Sequence, residues 1–282
     1  MIRIVTDSTA DLPISEAEAL GITIVPLTVS FGDETYLDNI ELDNAHFYMK
    51  LQTSKELPQT SQPAPATFQE VYTRLINEGA EGILSVHLSS KLSGTYQSAC
   101  TARDTLPDEV KKVPIEVIDS QSISIGMLYA LRKATEEVQQ GKSLAEIKEH
   151  LLDRCKRTRI LAALDTLEYV KRGGRIGLAR ALLGNMLSVK PIISLKEGEV
   201  VPVEQPRTRS KAYARIAQLI SEMGALEQLT IAESNEEVGA QLAEAVKNVY
   251  SGKINHYKLG GVLGTHTGPG TVAVSAVVVE QK

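Results

Sequence analysis

The sequence predicts an α/β protein in two parts. Residues 1–160 form an N-terminal α/β domain with a mostly parallel sheet and flanking helices. Residues 161–282 form a C-terminal α/β domain with a mixed or antiparallel sheet. Three observations carry this reading. In the first half, short β-branched runs alternate with helical apolar periods, and a β-α-β-α-β-α order requires parallel strands joined by helical crossovers. Near Ile160 the pattern changes to a hairpin followed by separated strands and helices. A chain of 282 residues is also longer than one typical domain.

The elements follow in order. Ile2–Val5 reads as a strand ending in Thr6-Asp7-Ser8-Thr9. Ser15 and Glu18 have capping-box spacing for a short helix. Ile22–Phe31 reads as a strand, with Pro26 marking an edge or a break. After Pro63 and Pro65, the residues Phe68, Val71, Tyr72 and Leu75 recur at helical spacing. Ile83–Leu88 is a strand, and Ser93-Gly94 opens a helix to about Arg103. Ile115–Ile118 is a strand, followed by a helix with Met127, Leu128, Leu131, Ala134 and Val138 on one face. Ser143 and Glu146 form a second capping box, starting a helix with Leu144, Ile147, Leu151 and Cys155.

Past the boundary, Ile160–Leu164 is a strand and Lys171-Arg172-Gly173-Gly174-Arg175 a basic, glycine-rich segment. Pro191–Leu195 and Val200–Val203 flank Glu197-Gly198 as a hairpin. One helix carries Tyr213, Ile216, Ala217 and Ile220, and another carries Val238, Leu242, Val246 and Val249. Leu229–Ala232, Ile254–Tyr257 and Thr271–Val279 are the remaining strands.

Composition narrows the function. The hydrophobic fraction is 43% and the net charge −5, which suits a globular protein and argues against nucleic acid as a partner. Aromatic residues make up only 4%, too few for base-stacking platforms. Cys100 and Cys155 are far apart and read as free thiols, and no ligand spacing points to a metal. Met1–Asp7 lacks the charged start and apolar run of a signal peptide, and no apolar stretch reaches the roughly 18 residues of a span. A cytoplasmic location is expected, with no more than transient membrane contact.

In an open parallel sheet, ligands sit at the carboxyl ends of strands beside helix N-termini. Two hydroxyl-rich segments precede helices there, Thr60-Ser61-Gln62-Pro63 and Ser89–Thr95. Their hydroxyls either cap the helices or help hold an anion. Thr265-His266-Thr267-Gly268-Pro269-Gly270-Thr271 is either an anion-cradling turn or a plain connection with His266 at the surface. The Lys171–Arg180 run, with Arg207, Arg209 and Lys211, reverses the overall charge locally; it suits phosphate or carboxylate, or is a solvated face. Asp7, Asp119 and Asp165 stand at strand ends, where turn and cap roles compete with chemistry. Ser93, His266 and one of these acids contain the parts of a hydrolase triad, although Leu92-Ser93-Gly94 is not a nucleophile elbow. A regulatory module binding a phosphorylated ligand is a further alternative.

Taken together and in order, these motifs resemble the DegV family of fatty-acid-binding proteins. The match runs from Ile4-Val5-Thr6-Asp7-Ser8-Thr9-Ala10-Asp11-Leu12 through Thr60-Ser61-Gln62-Pro63, Leu92-Ser93-Gly94-Thr95-Tyr96 and Val117-Ile118-Asp119-Ser120. It continues through Lys171-Arg172-Gly173-Gly174-Arg175-Ile176 and His266-Thr267-Gly268-Pro269-Gly270, nearly the whole chain. The resemblance implies an acyl chain buried between two α/β domains, with Thr60 and Ser93 on its carboxylate and His266 at the same polar end. It also implies no cofactor, no catalytic residue and, for members of the FakB type, presentation of the carboxylate to a separate ATP-dependent fatty-acid kinase. Arg175 and Arg207 would then face that partner or the acyl phosphate. A long acyl chain gains roughly 0.8 kcal/mol per buried methylene, and its carboxylate then requires hydrogen-bond donors.

Overall fold

The computed structural model describes residues 1–185 and 189–280. The N-terminal segment contains β1 (Ile2–Asp7), α1 (Ile14–Leu20), β2 (Ile22–Val25), β3 (Thr28–Phe31), β4 (Glu34–Leu37), α2 (Asn44–Thr53) and β5 (Gln59–Ser61). There follow α3 (Pro65–Asn77), β6 (Gly82–His87), α4 (Thr95–Asp104), β7 (Ile115–Asp119), α5 (Ile125–Gln139) and α6 (Leu144–Arg157). The remainder holds β8 (Thr158–Ala163), α7 (Glu168–Arg172), β9 (Ile192–Lys196), β10 (Glu199–Glu204), α8 (Arg209–Glu222) and β11 (Leu226–Glu233). It ends with α9 (Glu236–Val246), β12 (Ile254–Lys258), α10 (Gly261–Thr267) and β13 (Val272–Val278).

Among the described residues, β2-β1-β6-β7 form a wholly parallel sheet, as the alternating pattern predicts. The order β10-β9-β8-β13-β11-β12 forms a mixed sheet in which only β11 and β12 run parallel. A small antiparallel sheet, β4-β3-β5, completes the set.

Period-two alternation sorts the strands between layers. Ile4 and Leu84 turn toward Leu128, Leu131, Ile147 and Leu151 of α5 and α6. Their neighbours Val5 and Ile83 turn the other way, onto Phe68, Tyr72 and Ala99 of α3 and α4. Leu161, Val272 and Val274 pack under α8 and α9, whereas Ala232 and Ala273, on the opposite face, join the α5–α6 core. The helical pair α5–α6 is therefore shared by the two large sheets.

Two local expectations need correction. Ile22–Phe31 is not one strand: it divides at Pro26 into β2 and β3, which belong to different sheets. Proline has no N–H for a ladder, so the chain changes partners there. Ser15 and Glu18 form no capping box, because α1 starts at Ile14 with Pro13 in the capping position and Ser15 is already inside the first turn. Ser143 and Glu146 do form theirs on α6.

Candidate functional site

A chain that steps from β1 to β2 on one side and later to β6 on the other leaves diverging loops at the β1/β6 carboxyl ends, where α/β sheets hold ligands. A cavity of about 370 Å³ lies there, facing the inner side of the mixed sheet. That is within the roughly 300–1,000 Å³ of ligand sites. Leu27, Leu88, Leu92, Ile123 and Ile125 line it from the N-terminal segment, and Ile160, Ala162, Ile193, Leu195 and Ala273 from the mixed sheet. Alternation explains why Ile160 and Ala162 of β8 face this space while Leu161 and Ala163 sit under α8 and α9. Among the described residues that line it, Arg175 alone carries a full charge, so the cavity suits a largely apolar ligand with one anionic or polar group.

Four sequence-predicted residues, Thr60, Ser93, Arg175 and His266, meet on its wall. Thr60 lies on β5, opposite Val29 of β3, and thus in a sheet rather than at a helix cap. Its Oγ1 is 2.8 Å from Nε2 of His266. Ser93 precedes the N-terminus of α4; its Oγ is 2.9 Å from Thr95 Oγ1 and accepts the Thr95 N–H at 3.3 Å. Gly94 offers that helix no side-chain cap, so its first N–H groups add partial positive charge beside Ser93.

His266 occupies the last turn of α10, so the loop reading of Thr265–Thr271 is corrected at its start. The Thr265, Thr267 and Thr271 hydroxyls donate to the carbonyls of Gly261, Leu263 and Thr267 and form no anion cradle. Burial, reinforced by the Arg175 charge, holds the His266 imidazole down near 4 and neutral at pH 7. Its Nδ1 has no hydrogen-bond partner and lies against Gly173, where a Cβ would come within 2.2 Å. Gly173 makes room for the ring, and Gly174, at φ +73°, turns the chain toward Arg175.

Arg175 stands at the mouth. Its Nε donates to the Leu92 carbonyl at 3.1 Å and its Nη1 to that of Gly173 at 2.7 Å. It also borders an outer groove with Lys91, Leu178, Arg180 and Glu199. Arg207 is exposed on the turn before α8 and is absent from the cavity wall, so the structure does not bring it to the other four.

The hydrolase arrangement is not assembled at Ser93. Among the described residues no carboxylate orients His266, whose Nδ1 is unpartnered there and whose Nε2 faces Thr60. The three strand-end acids are engaged elsewhere. Asp7 pairs with His87 at 3.0 Å, Asp119 accepts from the Gln121 N–H and Ser90 hydroxyl, and Asp165 holds Arg209 and Lys190. Among the described residues, no His, Cys, Asp or Glu cluster has metal-site geometry, and no helix is long and apolar enough to cross a membrane. Both cysteines are free, with the Cys155 thiol pushed up to about 12 by burial.

The family described as "Uncharacterised protein, DegV family" matches residues 1–279. The chain belongs to the DegV family. A DegV domain-containing protein of Halalkalibacterium halodurans is 40% identical over 97% of both chains. A DegV family protein of Thermus thermophilus, whose solved structure is described by its fatty acid binding, has 34% identity, a TM-score of 0.89 and 99% coverage of each chain. DegV of Bacillus subtilis, described as a fatty acid binding protein, has 33% identity and a TM-score of 0.87, covering 98% of this chain and 99% of that one.

Thr60, Ser93, Arg175 and His266 stand out in the sequence by their motifs, whereas the apolar wall carries no motif. Alternation on β8 and β13 was visible, yet which face meets an open cavity depends on packing. Gln62, inside the Thr-Ser-Gln-Pro motif, also lines the cavity and lies over Gly94 at the start of α4.

Proposed function

We propose that this DegV protein binds one long-chain fatty acid in the cavity, with the carboxylate at Thr60, Ser93 and His266. The observation that carries the reading is a largely apolar space whose one full charge among the described residues is Arg175, with the Thr60 and Ser93 hydroxyls and a neutral imidazole on its wall. Fatty acid binding by the Thermus thermophilus and Bacillus subtilis relatives supports it. In the proposed complex, His266 donates through Nε2 to Thr60, and the Thr60 and Ser93 hydroxyls donate to the carboxylate. Neutral donors then meet the hydrogen-bonding demand of a buried carboxylate.

The protein acts as a non-catalytic carrier in the cytoplasm and presents the carboxylate at the mouth to a separate fatty-acid kinase. Arg175 borders both cavity and outer groove, which suits contact with such a partner or with a newly formed acyl phosphate. Arg207 is proposed as a second contact from the exposed turn. The proposed division into residues 1–160 and 161–282 falls within β8, a few residues after the end of α6.

Mass spectrometry of lipid extracted from the purified protein tests the first step. Long-chain fatty acid is expected, and delipidated protein that takes none up overturns the reading. Ser93→Ala is expected to weaken binding and leave the fold intact; unchanged affinity removes Ser93 from the site. Arg175→Ala and Arg207→Ala are expected to spare lipid binding and reduce kinase coupling, and full coupling in both refutes their role.

A further inference from the structure

His266 reaches the cavity on a helix that does not hold itself in place. α10 has seven residues, and Gly260 at its capping position supplies no side chain. A helix this short is marginal alone. Its first N–H groups are taken by two acids from the other end of the chain. Asp11 Oδ1 accepts the Gly260 N–H at 2.8 Å, and Asp38 Oδ1 accepts the Val262 N–H at 3.3 Å. Both acids are buried, at 4% and 1% exposure. From those caps α10 delivers Val262, Leu263 and His266 to the cavity wall.

Asp11 has a second engagement. Its Oδ2 accepts the hydroxyl of Ser124, another cavity-lining residue. Ser124 has φ +57° and ψ −139°, backbone that L residues rarely adopt. Its N–H also donates to the Thr9 carbonyl at 2.8 Å, so the β1–α1 connection holds the start of α5 as well as that of α10. One carboxyl thus ties two walls of the cavity together.

We infer that Asp11 and Asp38 are positioning residues of the ligand site: through α10 they set where His266 meets Thr60. This rests on the proposed fatty acid binding only for its affinity readout. The charges agree with the geometry. Burial raises the Asp11 carboxyl well above the usual range and Asp38 to about 6, and Asp7 adds to both effects. Asp38 and Tyr48 are further titratable groups facing Asp11. The Gly260 N–H needs only one side-chain oxygen as acceptor, so asparagine can replace Asp11.

The test uses the intact protein and two readouts. The His266 ring signal, assigned by its loss in His266→Gln, is followed by NMR against pH, and palmitate affinity is measured on delipidated samples. In the native protein His266 is expected to titrate near 4, with Arg175 the charged group acting on it. Asp11→Ala is expected to move that titration toward the ordinary histidine range and to lower affinity on the order of tenfold, about one hydrogen bond. Asp11→Asn restores both. Ser143→Ala, which removes the cap of distant α6, destabilises the fold and leaves both readouts in place. Native titration and affinity in Asp11→Ala, or equal shifts in Ser143→Ala, overturn the inference. If Asp11→Ala does not fold, Asp38→Ala decides by the same readouts. Native protein that takes up no palmitate refutes the proposed function, and the His266 titration still decides the positioning role.

Discussion

Filling the cavity floor separates long from short ligands. Ala162 and Ala273 are directly opposed in the β8–β13 ladder and both line the cavity. Opposed residues place their Cβ atoms about 4.5–5.5 Å apart, so the pair makes a low floor. Ile160, opposite Ser275, lies two residues further from the start of β13, roughly 6–7 Å along the strand. In the proposed complex, a chain anchored at Thr60 and His266 crosses the alanine pair before it reaches Ile160. Ala162→Leu puts three extra carbons into that path and displaces about three methylenes. At roughly 0.8 kcal/mol each, the longest acids lose about 2.4 kcal/mol, a factor of about 50, and acids that end short of the pair lose little. Ala162 faces open space, so the larger side chain meets little overpacking. The assay is displacement of a fluorescent fatty acid by a series of chain lengths, with thermal unfolding as the control for folding. An equal loss at every length, or none, refutes the reasoning.

Other consequences are smaller. Thr60→Val keeps shape but removes the hydroxyl paired with His266; calorimetric affinity for palmitate should fall by roughly 1.5–3 kcal/mol, and an unchanged value removes Thr60 from the head group. The β9–β10 hairpin docks its tip through the Ser89 hydroxyl on the Gly198 carbonyl at 2.7 Å. With φ at +80° and a Cβ that would sit 2.3 Å from Ser89 Oγ, Gly198→Ala should cost about 1–3 kcal/mol in denaturant unfolding and speed ligand release in stopped flow. Native stability and release rate would show that the tip is not a clamp. Burial holds Asp38 near 6, so the folded state resists its ionisation: the associated stability is whole below the ordinary carboxyl range and declines as pH rises through 6. Asp38→Asn should flatten that decline and, at pH 7.5, gain up to about 3 kcal/mol from it; an unaltered pH profile contradicts the assignment.

Legibility differed from element to element. The apolar periods of α3, α5, α6, α8 and α9 were plain, because each helix buries one face against a sheet. The β9–β10 hairpin was announced by Glu197-Gly198, both at positive φ. α10 was not visible: Gly261, Gly264 and two threonines are poor helix formers, and its caps come from Asp11 and Asp38. β5 carries no strand signal, since the three residues Gln59–Ser61 are too few for a period and gain their state by pairing with β3.

The layers, and the motif residues that come to line the cavity, are set by the sequence alone, because burial periodicity and motif order are written along the chain. Only the tertiary structure decided that Thr60 and His266, 206 residues apart, are 2.8 Å from one another. It also decided that His266 is neutral, that Gly173 lies under its ring, and that Ile160 and Ala162 border an open cavity. The physical reason is that protonation and cavity volume depend on what surrounds a group in space, and those surroundings come from distant segments that meet only when the chain is folded.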